Sequence, residues 1–418
     1  METKEYELGQ LLSYEQPTPY IVDSTEYNEK YKTPVLTAGK SFVIGYTNEE
    51  TGIYDSLPVI IFDDFTTSSQ YVNFKFKVKS SAMKILTANT DFVLPKYIFY
   101  RMQIINFDHS THKRYWIQHY SKLKVQIPTL SEQERIIQKI EELFSELDKG
   151  VETLQTIKQQ LAVYRQAVLK EAFEGKLTSE WRAKHTSSNP NSDFNSIKRP
   201  NENFKDTSGD ENEISLLLPS TWIKARLGEV FEVQVGATPS RRVPEYWNGD
   251  INWVSSGEVH FNNIYGTNEK ITSDGLDHAS TNVHPAGTVM LAMIGEGKTR
   301  GQAAILNTEA AHNQNTAAIL VSDTPCSSRF IFYFLQMNYD HTRRVGSGNN
   351  QKALNKERVR ALRFPFTSFS EQRQIVAEIE SRLSVCDSIE QTVDTALSQA
   401  EAMRQSILKK AFEGGFSE

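Results

Sequence analysis

The chain has 418 residues, with 46 Lys+Arg against 52 Asp+Glu, a net charge of −6 and two cysteines. That length leaves room for two to four domains, and so few cysteines exclude a disulfide framework or a four-cysteine zinc site and suit a reducing cytoplasm. No run of about 18 apolar residues marks a membrane span, and the opening Met1-Glu2-Thr3-Lys4-Glu5-Tyr6 lacks a basic-then-apolar leader pattern.

The acidity is unevenly spread. Residues 1–130 carry 14 basic and 14 acidic side chains, and residues 219–369 carry 15 and 13. The excess of acid lies in residues 131–218, with 12 and 16, and in residues 370–418, with 5 and 9. A negative total therefore does not exclude nucleic-acid binding through local basic patches on two near-neutral globes.

Residues 1–130 hold short β-like runs, such as Pro58-Val59-Ile60-Ile61-Phe62 and the alternating Tyr71 to Lys79. Leu94 to Ile105 is expected to be helical. Residues 131–175 form one long helical pattern, with apolar residues at Ile136, Ile140, Leu143, Leu147, Leu154, Ile157, Leu161, Tyr164 and Val168. These share one heptad frame, interrupted by Gly150 at an inward position. Ser131 is the expected N-cap, and Gly175 stands where a left-handed C-terminal cap is wanted. Residues 176–218, dense in Ser, Asn, Asp and Lys, are expected to be a loosely ordered linker.

Residues 219–369 repeat the organisation of the first globe: Thr238-Pro239 echoes Thr18-Pro19, and Phe330 to Gln336 echoes Tyr97 to Gln103. Residues 370–418 then repeat the long helix without a gap, at an offset of 239 from Ser131/Ser370 to Gly175/Gly414. Its seam is expected at Ile375, Ile379, Cys386, Val393, Ala400, Met403 and Ile407, with Ser370 as the cap. A stripe of that length must be buried, and two copies in one frame point to their packing on each other. The expected fold is α+β: two mixed α/β globes separated by two long helices, which pack as an antiparallel intramolecular coiled coil in a pseudo-twofold tandem repeat.

The ordered set of Leu218-Pro219-Ser220-Thr221-Trp222, Gly236-Ala237-Thr238-Pro239-Ser240, Tyr246-Trp247-Asn248-Gly249-Asp250-Ile251-Asn252-Trp253 and Ser370-Glu371-Gln372 resembles the specificity subunit of type I restriction-modification systems. Ser131-Glu132-Gln133 and Gly175 to Arg182 extend the resemblance over essentially the whole chain. The first globe departs most, since it lacks the Tyr-Trp-x-Gly-x-Ile-x-Trp stretch. The resemblance implies two target recognition domains, each reading one half of a split, asymmetric site in double-stranded DNA. It also implies that the helices set the spacing and dock two modification (methyltransferase) subunits, with restriction/motor subunits beyond them. Such a chain is not an enzyme by itself and holds no cofactor. S-adenosylmethionine, ATP and Mg2+ belong to the partners, and the complex works in the cytoplasm.

Candidate DNA contacts in the second globe are Ser240, Arg241 and Arg242 after a turn, and Lys298, Arg300 and Gln302 along one run. Asn313 and Gln314 could read adenine, and Asn349, Asn350 and Lys352 lie in a glycine-containing loop. In the first globe they are Lys75, Lys77 and Lys79 on one expected strand face, and Lys113 and Arg114 beside His112. Each is balanced by the plainer reading of a solvated surface residue or a turn former. Two rival functions stand beside this one. A P-loop enzyme would use Ala292 to Thr299, but that pattern needs a helix directly after Lys298-Thr299, and a nuclease would use Asp63-Asp64. A protein-binding scaffold would need no DNA at all.

Overall fold

The computed structural model describes residues 2–37, 41–105, 115–197, 216–295, 297–344 and 353–414. The chain divides into two compact units. Met1–Ile157 with Thr392–Glu418 make the first, and Lys158–Gln391 make the second. Lys113, Arg114, Asn349, Asn350 and Lys352 lie outside the described residues.

The described strands of the first unit are β1 (Thr3–Glu7), β2 (Leu12–Glu15), β3 (Thr33–Leu36), β4 (Val43–Thr47), β5 (Val59–Asp63), β6 (Ser69–Val72), β7 (Lys77–Val78), β8 (Met83–Ala88) and β9 (Lys124–Pro128). One sheet has the order β2-β8-β5-β6, another β4-β3-β7, and β1 pairs with β9. The second unit has β10 (Ile223–Arg226), β11 (Val233–Val235), β12 (Trp247–Val254), β13 (Asn262–Ile264), β14 (Glu269–Ile271), β15 (Val289–Ala292), β16 (Ala303–Leu306), β17 (Ala311–His312), β18 (Thr316–Ile319) and β19 (Arg363–Phe366). Its sheets run β11-β18-β15-β16-β13, β14-β12-β17 and β10-β19. Apart from β13, an added edge strand parallel to β16 in the second unit, the plan is the same. Even the mixed sheet matches, since β3 is antiparallel to β4 and parallel to β7, as β12 is to β14 and β17. The duplication therefore extends to the first globe, although its β3 carries none of the Trp-rich β12 sequence.

Two 44-residue helices, Leu130–Phe173 and Phe369–Phe412, follow the globes. Each begins one residue earlier than the Ser-Glu-Gln repeat. The Glu132 amide is capped by the Thr129 hydroxyl at 3.4 Å and the Glu371 amide by Ser368 at 3.3 Å, so the caps are Thr129 and Ser368 rather than Ser131 and Ser370. The repeat's glutamine has a different task. Gln133 is fully buried, accepts from the Leu94 amide at 2.8 Å and donates to the Pro128 carbonyl at 2.9 Å. Gln372 accepts from the Ser327 amide at 3.1 Å and donates to the Thr367 carbonyl at 2.9 Å. Each glutamine thus ties the strand before its long helix to the start of the short helix Pro95–Met102 or Ser328–Met337. The amides of Leu94 and Ser327 precede those helices and lack an intrahelical acceptor, which the glutamine oxygen supplies. At the far ends Gly175 (φ 70°) and Gly414 (φ 83°) take the expected left-handed conformation.

Within each unit the helix segments run antiparallel. In the first, Ile136, Ile140 and Phe144 share a core with Leu408 and Ala411, and Asp148 pairs with Arg404. In the second, Leu169 and Phe173 share a core with Ile375 and Ile379, and Arg165 pairs with Asp387 at 2.7 Å and Glu390 at 2.8 Å. Most of the expected seam is in place, Val168, Cys386 and Ala400 included. Ile136, Ile140, Leu161, Ile375, Ile379 and Val393 are buried, while Leu147, Leu154 and Ile407 are half-buried. At four positions the inward residue lies one later than expected. Phe144 is buried more deeply than Leu143, Val151 faces inward where Gly150 is exposed, and Arg165 and Arg404 displace Tyr164 and Met403, which are 45% and 54% exposed. An apolar pattern picks Tyr164 and Met403 because the true occupants are charged. Their guanidiniums stay inward because an aspartate on the opposing segment meets each one, and Arg404 also lies over the Phe144 ring at 4.5 Å.

Two further expectations change. The run from Tyr71 to Lys79 is not one strand. It breaks at exposed Asn73–Lys75 and resumes in another sheet as β7, with Phe76 and Val78 in the core. The first part of the expected linker is folded onto the second unit. It forms the short helices Ser179–Lys184 and Pro190–Ser196, and Asp193 accepts from the Phe369 amide at 2.8 Å. Glu371 anchors this strap. Its buried carboxylate accepts from Thr178 (2.8 Å), Arg182 (2.8 Å), Trp222 (3.0 Å) and Thr367 (2.6 Å). Composition misses this because few apolar residues, chiefly Leu177, Phe194 and Ile197, reach the core, and polar partners do the rest.

Candidate nucleic-acid interface

Catalytic readings find no support in the geometry. Asp64 is 2% exposed, pairs with buried Lys84 at 3.3 Å and accepts from the Trp116 amide at 2.8 Å. Asp63 caps its own turn through the Phe65 and Thr66 amides. Both carboxylates are spent on structure. Lys298-Thr299 is followed by the turn into strand β16, where a P-loop needs a helix. Among the described residues no cluster of three or more His, Cys, Asp or Glu side chains could hold a metal, and no helix is long and apolar enough to cross a membrane.

In the first globe the three lysines separate. Lys77 is 3% exposed, pairs with Glu49 at 2.8 Å and donates to the Thr51 carbonyl at 2.7 Å, so it is a structural cation and not a surface contact. Burial alone would push the Glu49 carboxyl up, but Lys77 and the Asp23 and Ser24 amides outweigh it and hold it below its usual range. Lys75 and Lys79 are exposed, and Lys75 pairs with Asp55 at a long 3.6 Å.

In the second globe the candidates sort in the same way. Arg300 is 8% exposed and donates to the Arg343 carbonyl, so it closes the short helix Tyr339–Arg344 rather than alternating outward with Lys298 and Gln302. Lys298 is exposed and Gln302 half-buried in the turn ahead of β16. Asn313 is buried, and its side chain accepts from the Asn315 amide at 3.0 Å, the turn-forming alternative. Ser240, Arg242 and Gln314 are exposed, and Thr238, at the start of the Ser240–Arg242 turn, donates to Gln314 at 2.5 Å. Arg241 is held by Glu269 and lies over the Trp247 ring, 3.7 Å from its centroid. Trp253 is core, and Trp247 packs against it edge-on at 5.1 Å. Glu269 escaped sequence reasoning because no local pattern links residues 28 positions apart.

A buried imidazole pair lies behind this turn. His312 and His284 face each other with Nε2 atoms 3.1 Å apart, and burial, then the neighbouring His284, lowers the His312 pKa to about 3. Both rings are neutral near pH 7 and serve packing.

The model of the type I restriction modification DNA specificity domain matches residues 219–399. The chain is 30% identical over 393 residues to the type I restriction enzyme EcoR124I/EcoR124II specificity subunit of Escherichia coli, covering 91% of this chain and 87% of that one. Two solved structures share the fold. A chain of a type I R-M system superposes with a TM-score of 0.66 at 16% identity, covering 98% of this chain and 97% of that one. The HsdS subunit from Thermoanaerobacter tengcongensis gives 0.50 at 15%, covering 99% and 97%.

Proposed function

Because this chain belongs to the family of type I restriction-modification specificity subunits, we propose that its two globes read different halves of one bipartite DNA site while its helices fix their spacing. Its role is DNA specificity and not catalysis, and its partners are DNA and the methyltransferase and restriction subunits. Two modification subunits docking at equivalent places is the finer part of the proposal. S-adenosylmethionine, ATP and Mg2+ are then used by those subunits, in the cytoplasm.

One observation carries this reading: what the two units share lines the long helices, and what differs lies in the turns of the globes. Glu141 takes Lys96 and the Tyr100 hydroxyl, as Glu380 takes Arg329 and the Tyr333 hydroxyl. Asp148 takes Arg404 as Asp387 takes Arg165. In each of these pairs the acidic residues are 239 positions apart, so one kind of partner finds the same surface twice. The first unit also has a cavity of about 660 Å³ along this surface, lined in part by Tyr100, Glu141, Asp148 and Arg404. The turns after the two Thr-Pro pairs share no such chemistry, since Arg241 and Arg242 are exposed while Val22 is buried. Beyond Thr238-Pro239 stand Arg241 and Arg242, and at the same distance beyond Thr18-Pro19 stand Ile21 and Val22.

A helix rises about 1.5 Å per residue, so 44 residues span about 66 Å, and rigid spacing of that order suits readers that must stay in register with DNA turns of about 34 Å. The test is to insert one heptad at an exposed stretch of each long helix and sequence the methylated motif in cells that also carry the modification subunits. Changed spacing with unchanged half-sites is expected. Altered half-sites at unchanged spacing would refute the division of labour. Salt-insensitive or absent DNA binding by the assembled complex would favour a protein-binding scaffold instead.

A further inference from the structure

The turn between β11 and β12 is held from several sides. Gly236 is pressed against the start of the turn after β17, where an added Cβ would sit 1.9 Å from the His312 carbonyl oxygen. That oxygen accepts from the Ala237 amide at 3.0 Å. The Trp253 indole donates to the Ala237 carbonyl at 3.1 Å, and the Trp247 indole donates to the Ser240 carbonyl at 3.3 Å. Arg241 then closes the brace. Both of its terminal nitrogens grip Glu269, Nη2 to Oε2 at 2.9 Å, while its plane rests on Trp247. Their hydrogen bond holds the Glu269 carboxyl below its usual range and raises the already high Arg241 value. Arg242, next in sequence, is exposed and has no ion pair among the described residues.

We infer that this turn is a pre-built reading loop in which Arg242 meets the DNA and Arg241, Glu269 and Trp247 are positioning residues. The inference rests on the DNA-reading role of the second globe. Two adjacent arginines look equivalent in the sequence, but they differ physically. The Arg241 guanidinium already has a bidentate carboxylate and an aromatic face, and a phosphate or guanine would have to displace both. Among the described residues Arg242 has no such competitor and can offer its fork to a guanine edge. At the equivalent positions of the first globe stand Ile21 and Val22, so the effect belongs to one half-site only.

The experiment uses the full chain assembled with its modification subunits and a duplex carrying its own methylated motif. Binding is titrated at several salt concentrations, and the motif is re-read by methylation sequencing. Arg242→Ala should weaken binding roughly 10–100-fold and relax one position of one half-site. Glu269→Gln gives the discriminating sign. If Arg241 positions the loop, removing this carboxylate loosens the brace and weakens binding, although a negative charge has been removed. If Arg241 is itself a DNA contact, the same change frees it and tightens binding. Arg241→Glu combined with Glu269→Arg should recover part of the loss by rebuilding the pair in reverse. Tighter binding by Glu269→Gln, or an unchanged motif and affinity in Arg242→Ala, overturns the inference. A wild-type complex that binds without salt sensitivity overturns the DNA-reading role beneath it, a different failure.

Discussion

The two units share a strand plan and a helix surface, yet they close the start of their long helices differently. In the second unit Glu371 is buried under the strap from Leu177 to Ile197 and takes its cation from Arg182. At the same place in the first unit, Glu132 is partly exposed and takes its cation from Arg135, one turn along its own helix. Thr129 and Leu130 are exposed there, whereas Ser368 is 1% exposed. The repeat therefore kept the carboxylate but changed its source of charge, and in the second copy Gln374 stands where the first has Arg135. Identical sequence positions do not carry identical energies; the neighbours that reach them decide.

The largest expected effect follows from that contrast. Glu371→Ala should destabilise the second unit by about 3 kcal/mol, because the buried Trp222 indole and the Thr178 and Thr367 hydroxyls would lose their acceptor and Arg182 its carboxylate. Glu132→Ala should cost the first unit only about 0–1 kcal/mol, as for an exposed pair. Separate unfolding transitions by calorimetry would show this, and equal costs would break the comparison.

Acid should separate the units next. His312 has a folded pKa near 3 against an ordinary value of 6.5. As pH falls through that window the unfolded chain takes up a proton that the folded one refuses, so stability is full above about 6.5 and lost toward 3. The slope is at most about 1.4 kcal/mol per pH unit for this one group. Melting of the second unit should shift downward with acid, and His312→Gln should flatten the shift.

The glutamine clamps should behave alike. Gln133→Ala and Gln372→Ala should each cost about 1–3 kcal/mol in their own units, since each leaves a buried amide and a buried carbonyl without their partner. Asp148→Asn and Asp387→Asn should be the mildest, about 0–1 kcal/mol each by chemical denaturation. A large loss from only one member of either pair would show that the shared surface is not equivalent.

Much of this was legible in the sequence. The gapless repeat exposed both long helices and the duplication, and the cap glycines were placed because a left-handed turn after a long apolar stripe has few other solutions. The frame slipped by one residue where Arg165 and Arg404 face inward, since apolarity cannot see a charge that is answered by an aspartate far away in the chain. The strap is illegible for a related reason, as sparse apolar contacts from Leu177, Phe194 and Ile197 are joined by polar partners distant in the chain. Of the candidate contacts, residue type identified Arg242 and Lys79 as exposed cations. It could not separate them from Lys77, Arg300 and Arg241, whose partners Glu49, the Arg343 carbonyl and Glu269 come from other elements.

The most direct test of two readers on one scaffold is to replace residues 219–369 with the equivalent globe of a relative, keeping both long helices, and to sequence the methylated motif. The account predicts that one half-site changes while the other half and the spacing stay as they were. A motif altered in both halves, or in neither, would contradict it.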